Sequence, residues 1–252
     1  SMYRKVEGII LKEMRFKETS KILTILTPQY GKISAIARGA YRPKSQIVGI
    51  TQPFAYNRFV FFKGRNFYYI SQIDPIESYY SVRESMNRLL YGSYMLELAD
   101  SSILEGEENI KIFLLLKKGL KVLSNLTRDF VKFITAYEMK FISFLGYKPL
   151  LDSCAVCGEK TFKDLSFSIA SGGLVCKSCS YLVKDSFHID RNMYRAMKSL
   201  LYTPLDKLDD IKISNKIASK IHNIMVKYIL HNVDKKAFNS LDILRSIRNG
   251  GE

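Results

Sequence analysis

The chain has 252 residues, 47% hydrophobic and 25% charged, which excludes a disordered or low-complexity protein and allows one large domain or two to three small ones. Its 39 lysines and arginines against 24 acids give +15, so a polyanion, either nucleic acid or an anionic membrane, is the partner to expect. The longest strongly apolar run, Ile112 to Leu116, ends at Lys117-Lys118, far short of the ~20 residues that span a bilayer, and no amphipathic terminal helix or lipidation motif supports membrane contact.

Ser1 ahead of Met2 reads as a residue left by tag removal, with the natural start at Met2. Up to about residue 75 the pattern is β. Strand-like runs cover Tyr3 to Lys12, Lys21 to Thr27, Lys32 to Arg38, Phe54 to Phe62 and Phe67 to Ile73. They are divided by Pro28-Gln29-Tyr30-Gly31, by Gly39 to Gly49 and by Lys63-Gly64-Arg65-Asn66. Five short strands with a longer excursion after the third is the layout of an OB-fold, although periodicity alone also permits an SH3-like barrel.

Residues 1–80 carry 13 Lys and Arg against 5 acids, about half of the chain's excess charge. Alternation in the third strand puts Lys32 and Arg38 on the face opposite Ile33, Ala35 and Ala37, and the loop that follows adds Tyr41, Arg42 and Lys44. Phe54, Tyr56, Phe59, Phe61, Phe62, Phe67, Tyr68 and Tyr69 interleave with Arg58, Lys63 and Arg65. Single-strand binders combine cations for phosphates with rings for bases, but a small barrel also needs aromatic core; alternation predicts two or three of these rings exposed without saying which.

After Pro75 the spacing turns helical. Phe113, Leu116, Leu120 and Leu123 share one face, and Phe130, Phe133, Ile134, Tyr137, Phe141, Phe144 and Leu145 share another, with a stop at Gly146 and Pro149. Helices resume behind Asp190 as an N-cap, with Met193, Met197, Leu200 and Leu201 inward. They resume again after Ser214, with Ile217, Ile221, Ile224, Met225, Tyr228 and Ile229 inward.

Between these helices lie all four cysteines, Cys154-Ala-Val-Cys157 and Cys176-Lys-Ser-Cys179, the C-x2-C-x18-C-x2-C spacing of a structural zinc site. Each C-x-x-C turn aims two thiolates at one metal, and Gly158 and Gly172-Gly173 suit the tight turns required. Four protein ligands leave no open position for an activated water, so the metal is structural. Disulfides fit poorly in a chain with a sizeable core and these four cysteines alone, and a thioredoxin-like role needs a single C-x-x-C opening a helix. One Zn²⁺ and a reducing cytoplasm are therefore predicted.

Catalytic signatures are lacking. There is no G-x-x-x-x-G-K-[ST], G-x-S-x-G or H-E-x-x-H, and His188, His222 and His231 all follow the cysteines, unlike the order in a zinc deaminase. The three histidines are read as surface or helix-face residues, and Asp206, Asp209 and Asp210 as caps and solvated charge. The fold class expected is an α+β multidomain chain, in which an OB-fold barrel (1–78) precedes an all-helical domain (79–150 and 184–252) with an inserted four-cysteine zinc module (151–183).

Several segments, taken in order, resemble the bacterial RecO family of recombination mediators. They are Glu7 to Lys12, Thr27 to Lys32, Ala37 to Ser45, Gln52-Pro53-Phe54, Phe141 to Pro149, the two cysteine pairs with Gly172-Gly173, and Ser240 to Ser246. The resemblance spans nearly the whole chain and implies a non-enzymatic, DNA-binding repair protein, bacterial, cytoplasmic and nucleoid-associated. It would bind single- and double-stranded DNA, anneal complementary strands, and work with RecR and the single-stranded DNA-binding protein to load RecA recombinase. On this chain the implied DNA contacts are Lys32, Arg38, Arg42 and Lys44, with Arg15, Lys17, Lys63 and Arg65. Many members carry a basic residue where this chain has Tyr41, which predicts a base-stacking role there. The resemblance also implies a basic, apolar-floored pocket for the acidic tail of the single-strand-binding protein, at Arg191, Arg195 and Lys198 beside Met193, Met197 and Leu201, or at Lys216, Lys220 and Lys227. A zinc-containing RNA-binding transcription or translation factor, and a nuclease, are the alternatives.

Overall fold

The computed structural model describes residues 3–160 and 163–249. In chain order the elements are β1 (Tyr3–Phe16), β2 (Ser20–Thr27), β3 (Gly31–Ala37), β4 (Tyr56–Lys63), β5 (Tyr68–Glu77), α1 (Met86–Ser102), α2 (Ile110–Asn125), α3 (Phe130–Ile142), β6 (Leu165–Ser168), β7 (Gly173–Cys176), β8 (Ser186–Ile189), α4 (Arg191–Tyr202), α5 (Asn215–Asn232) and α6 (Asn239–Asn249). The chain divides into two compact units, residues up to 125 together with those from 238 onward, and residues 126–237.

The first unit holds a closed five-stranded barrel of order β1-β2-β3-β5-β4, antiparallel except where β3 meets β5 at Ala35–Tyr68 and Ile36–Tyr69. That is the OB-fold arrangement, as the strand spacing predicts. Its interior is filled by Val6, Ile10, Leu23, Ile25, Ile33 and Ala35, with Phe59 and Phe61 stacked at 5.2 Å. The small Ala35 and Gly8 leave room for these rings; a Cβ on Gly8 would come within 2.4 Å of Ile25.

The first strand runs four residues past its expected end at Lys12. Its first half pairs with β4 and its second half with β2, across a bulge between Ile10 and Lys12 that lets one strand serve both neighbours. Beyond the bulge Met14 and Arg15 are exposed, so the alternation that marks the earlier residues is lost.

Within the same unit the loop before α2 packs on the barrel. Gly31 (φ 60°) admits the Glu107 backbone where a Cβ would stand 1.9 Å from its carbonyl oxygen. The last helix does not stay with the helices that precede it in sequence. Glu97 of α1 accepts from the amides of Asn239 and Ser240 at 3.0 and 2.7 Å, capping α6, while Phe238 meets Tyr94 edge-on and Arg248 reaches the Tyr91 hydroxyl at 2.7 Å. The expected range 184–252 therefore spans parts of both units.

In the second unit α3 is buried on nearly all sides and packs on α4 and α5. Two of its lysines neutralise helix or turn ends. Lys140 donates to the Leu200 and Leu201 carbonyls at the end of α4, and Lys132 to those of Leu208 and Ile211. Asp190 caps α4 through the Met193 amide, as expected, and Ser214, where the sequence places the start of a helix, caps α5 through the Ile217 amide. Helix α3 passes into a wide turn over Ser143–Tyr147, closed by Gly146 at φ 113°, and this turn leaves Phe144 exposed and Leu145 half-exposed, not inward. His222 is not a surface residue: its Nδ1 sits 2.7 Å from the carboxylate of the fully buried Glu138, whereas His188 and His231 are exposed. A small antiparallel sheet, β7-β6-β8, carries the cysteine segment.

Candidate nucleic-acid interface and metal centre

The four cysteine sulfurs all lie within 4.8 Å of one another. Cys154 leads into a turn closed by the Gly158 amide on its carbonyl at 2.9 Å, with Gly158 at φ 78°. Cys176 ends β7 and Cys179 sits in the short helical turn that follows. The Cys157 and Cys176 sulfurs are 3.8 Å apart, matching the edge of about 3.8 Å expected for a tetrahedron with bonds of ~2.3 Å to zinc.

The thiols are electrostatically unequal. Burial raises the Cys154 thiol, but the amides of Cys157, Cys176 and Val156 outweigh it and bring the group down to about 6. Burial and the three neighbouring sulfurs push Cys179 up to about 12. Such crowded sulfurs ionise together only around a cation, and the donor set fits a soft, tetrahedral divalent metal. The segment is therefore compatible with a metal site, held by Cys154, Cys157, Cys176 and Cys179.

At one end of the barrel the β1–β2 turn, the end of β3 with its following loop, and the β4–β5 turn enclose an open groove of about 330 Å³. Lys17, Arg38, Arg42 and Arg65 line it, together with Phe16, Phe67 and Tyr69. Local geometry explains three of the four cations. Lys17 occupies the left-handed turn between β1 and β2, with φ 56°. Gly39, at φ 68°, lets the Arg42 side chain fold back over it; a Cβ there would stand 3.2 Å from Cδ. Gly64 donates to the Phe67 carbonyl, turning Arg65 and Phe67 toward the same opening. These loops and the β2–β3 region form the face on which OB-folds hold oligonucleotides.

The other expected contacts are placed differently. Lys32 is already engaged: its ammonium is bonded to the carbonyl of Asp100 at 2.6 Å and to its carboxylate at 3.3 Å, away from the groove. The Tyr41 ring carries the Arg15 guanidinium at 4.4 Å and the Lys21 ammonium at 4.8 Å, so cations occupy the ring expected to stack on a base. Lys44 and Lys63 are exposed but do not line the groove.

Of the eight interleaved rings, Phe54, Tyr56, Phe59 and Phe61 are core, while Phe62, Phe67, Tyr68 and Tyr69 are half-buried. Sequence reasoning missed Phe16, because it lies past the bulge. It also missed Lys21, fully buried, paired with Glu13 at 2.6 Å and donating to Val48 and Thr51 carbonyls in the loop after β3. In the second unit Met193, Met197 and Leu201 are buried as core, so they form no open floor beside Arg191 and Arg195. Lys198 is paired with Asp152 at 3.1 Å. Lys216 and Lys220 are exposed, and Lys227 lies over Phe187. Among the described residues no helix is long and apolar enough to cross a membrane.

Residues 2–79 match the family described as Recombination protein O N terminal, and residues 83–242 match Recombination protein O C terminal. The chain is 36% identical over 248 residues to the DNA repair protein RecO of Alkaliphilus metalliredigens, covering 98% of this chain and 100% of that one. It is 35% identical to that of a Thermoanaerobacter species, covering 97% and 98%, and 30% identical to that of Acetivibrio thermocellus, covering 97% of each. With a closed five-stranded barrel, a clustered set of four cysteines and relatives matched end to end, the chain belongs to the RecO family of DNA repair proteins.

Proposed function

We propose that this protein is a recombination mediator that binds single- and double-stranded DNA at the barrel groove, anneals complementary strands, and helps load recombinase onto DNA coated with single-strand-binding protein. The observation that carries this reading is the convergence of Lys17, Arg38, Arg42 and Arg65 on one opening of an OB-fold. Arg15, Tyr41, Lys44 and Lys63, which do not line that opening, are retained as secondary candidates for contact with a longer strand. Annealing asks for no acid, base or nucleophile: neutralising phosphates lowers the repulsion between two strands, and the bases then pair unaided. The protein acts as a binding machine and not as an enzyme.

Partnership with RecR, with the tail of the single-strand-binding protein and with RecA rests on family membership, as does a cytoplasmic, nucleoid-associated location. Lys216, Lys220 and Lys227 on α5 are exposed candidates for the acidic tail, as are Arg191 and Arg195 without the apolar floor expected beside them. In this reading the four thiolates hold one structural Zn²⁺, which supplies cross-linking and no reaction. As functional divisions we retain the barrel (1–78), the helical parts (79–150 and 184–252) and the zinc module (151–183).

The test is strand annealing with labelled complementary DNA and RNA oligonucleotides. Protein-dependent acceleration with DNA is expected, without strand cleavage in Mg²⁺ or Zn²⁺. Acceleration confined to RNA, or turnover of the labelled strand, would overturn the reading.

A further inference from the structure

We propose that the barrel groove contains a seat for one unpaired nucleotide, with the base against Phe67 and Tyr69 and the flanking phosphates on Arg38, Arg42 and Arg65. This rests on the DNA-binding reading above and adds to it a base-dependent contact that only an unpaired strand can make.

The size, wall chemistry and ring arrangement all point the same way. At about 330 Å³ the groove falls at the lower end of the roughly 300–1,000 Å³ typical of small-molecule pockets, whereas a surface that tracks phosphates alone needs no concavity. Apolar side chains, Phe16, Ile36 and Phe67, line it alongside the cations. Phe67 meets Phe16 across the groove wall at 6.3 Å and 49°, and Tyr69 stacks on Phe62 at 5.2 Å and 14°, so each ring is held by an aromatic neighbour.

The Arg38 guanidinium lies 4.5 Å over the Tyr69 ring. With Phe62 stacked almost parallel to that ring, the face left for a base is the one Arg38 covers. An entering base displaces the guanidinium, which a phosphate of the same strand then receives. Base and phosphate recognition are thereby coupled through a single arginine. A duplex cannot use this seat unless a base is everted, at a cost of a few kcal/mol in unstacking and unpairing. The cations around the opening remain available to either form of DNA.

The experiment compares an oligodeoxythymidylate with a strand of equal length whose bases are replaced by abasic sites, which keeps the charge and removes the stacking faces. The parent protein is expected to bind the abasic strand about fivefold or more weakly at equal salt. A single pyrrolocytosine placed within the thymidine strand should lose fluorescence on binding. Phe67→Leu and Tyr69→Leu, which keep an apolar side chain, should lower thymidine-strand affinity toward that of the abasic strand. The loss should be several-fold larger for the thymidine strand than for a duplex of equal length, and an equal loss for both would count against the seat.

Equal binding of both strands by the parent protein, or unquenched pyrrolocytosine, would overturn the seat whatever the variants do. Failure of the underlying DNA-binding reading looks different. In that case Arg38→Ala with Arg42→Ala leaves affinity for every DNA unchanged. If only the seat is wrong, that double variant still weakens all DNA while bases make no difference.

Discussion

Replacing Arg38 and Arg42 together by alanine tests the groove most directly, because the number of ions released on binding can be counted. Four cations line the opening. For a single strand the logarithmic salt slope is about −0.7 per phosphate neutralised, so these four contribute about −2.8 and the double variant should retain about −1.4. Between 50 and 200 mM salt this corresponds to a loss of about 50-fold in affinity for the parent and about 7-fold for the variant. Cations outside the groove add equally to both proteins, which makes the difference of about 1.4 the tested quantity. Affinity at one fixed salt is a poorer measure. Pulling Arg38 off Tyr69 costs the parent roughly 0.5–1 kcal/mol that the variant does not spend, masking part of its loss. Lys32→Ala is the control: that ammonium is bound to Asp100, so the slope should not change. Fluorescence anisotropy of a labelled oligonucleotide across a salt series measures all three proteins. An unchanged slope in the double variant, or an equal drop in Lys32→Ala, would refute the assignment of the groove.

Zinc should be present at one atom per chain and lost in Cys154→Ser with Cys179→Ser, with a lower melting temperature; elemental analysis finding no metal in protein purified without chelator refutes it. Lys21→Met should destabilise the barrel by roughly 2–3 kcal/mol, below the ~3–5 expected for breaking a fully buried pair because Glu13 remains 29% exposed. It should also raise amide exchange in the loop after β3, and unaltered exchange there would remove Lys21 as the loop's anchor. Burial, and secondarily the charge of Glu77, holds the Tyr79 hydroxyl up from the usual 10 to about 12. Since the folded-state value lies above the unfolded one, the stability this contributes is complete below pH 10 and disappears as pH rises through about 12. Tyr79→Phe should flatten the alkaline fall in urea-unfolding stability, and an identical fall in both proteins counts against it.

What could be read from the sequence was what depends on neighbours along the chain. The cysteine cluster was fully legible because each knuckle is fixed by a two-residue spacing, and the 18-residue interval has only to bring the second pair back along β7. The barrel strands were legible where alternation holds, and the reading failed at Glu13-Met14-Arg15, where the bulged arm of β1 no longer separates a core face from a solvent face. Losing that arm hid Phe16, and with it one wall of the groove.

Charge was harder, because alternation says which face of a sheet a lysine leaves and nothing about what meets it there. Lys32 and Arg38 flank the same strand and both leave it as predicted. Yet Lys32 meets Asp100, 68 residues later, while Arg38 lies over Tyr69 at the open groove. The same limit applies to Glu97 with Ser240, 143 residues apart, and to Glu138 with His222, 84 apart. A buried or half-buried charge is satisfied by whichever element the topology brings alongside it, and no local pattern carries that information. The proposed DNA contacts are therefore chosen by elimination in three dimensions: Lys32 and Lys21 are engaged by protein partners, whereas Lys17, Arg38, Arg42 and Arg65 converge on one opening where a phosphate could reach them.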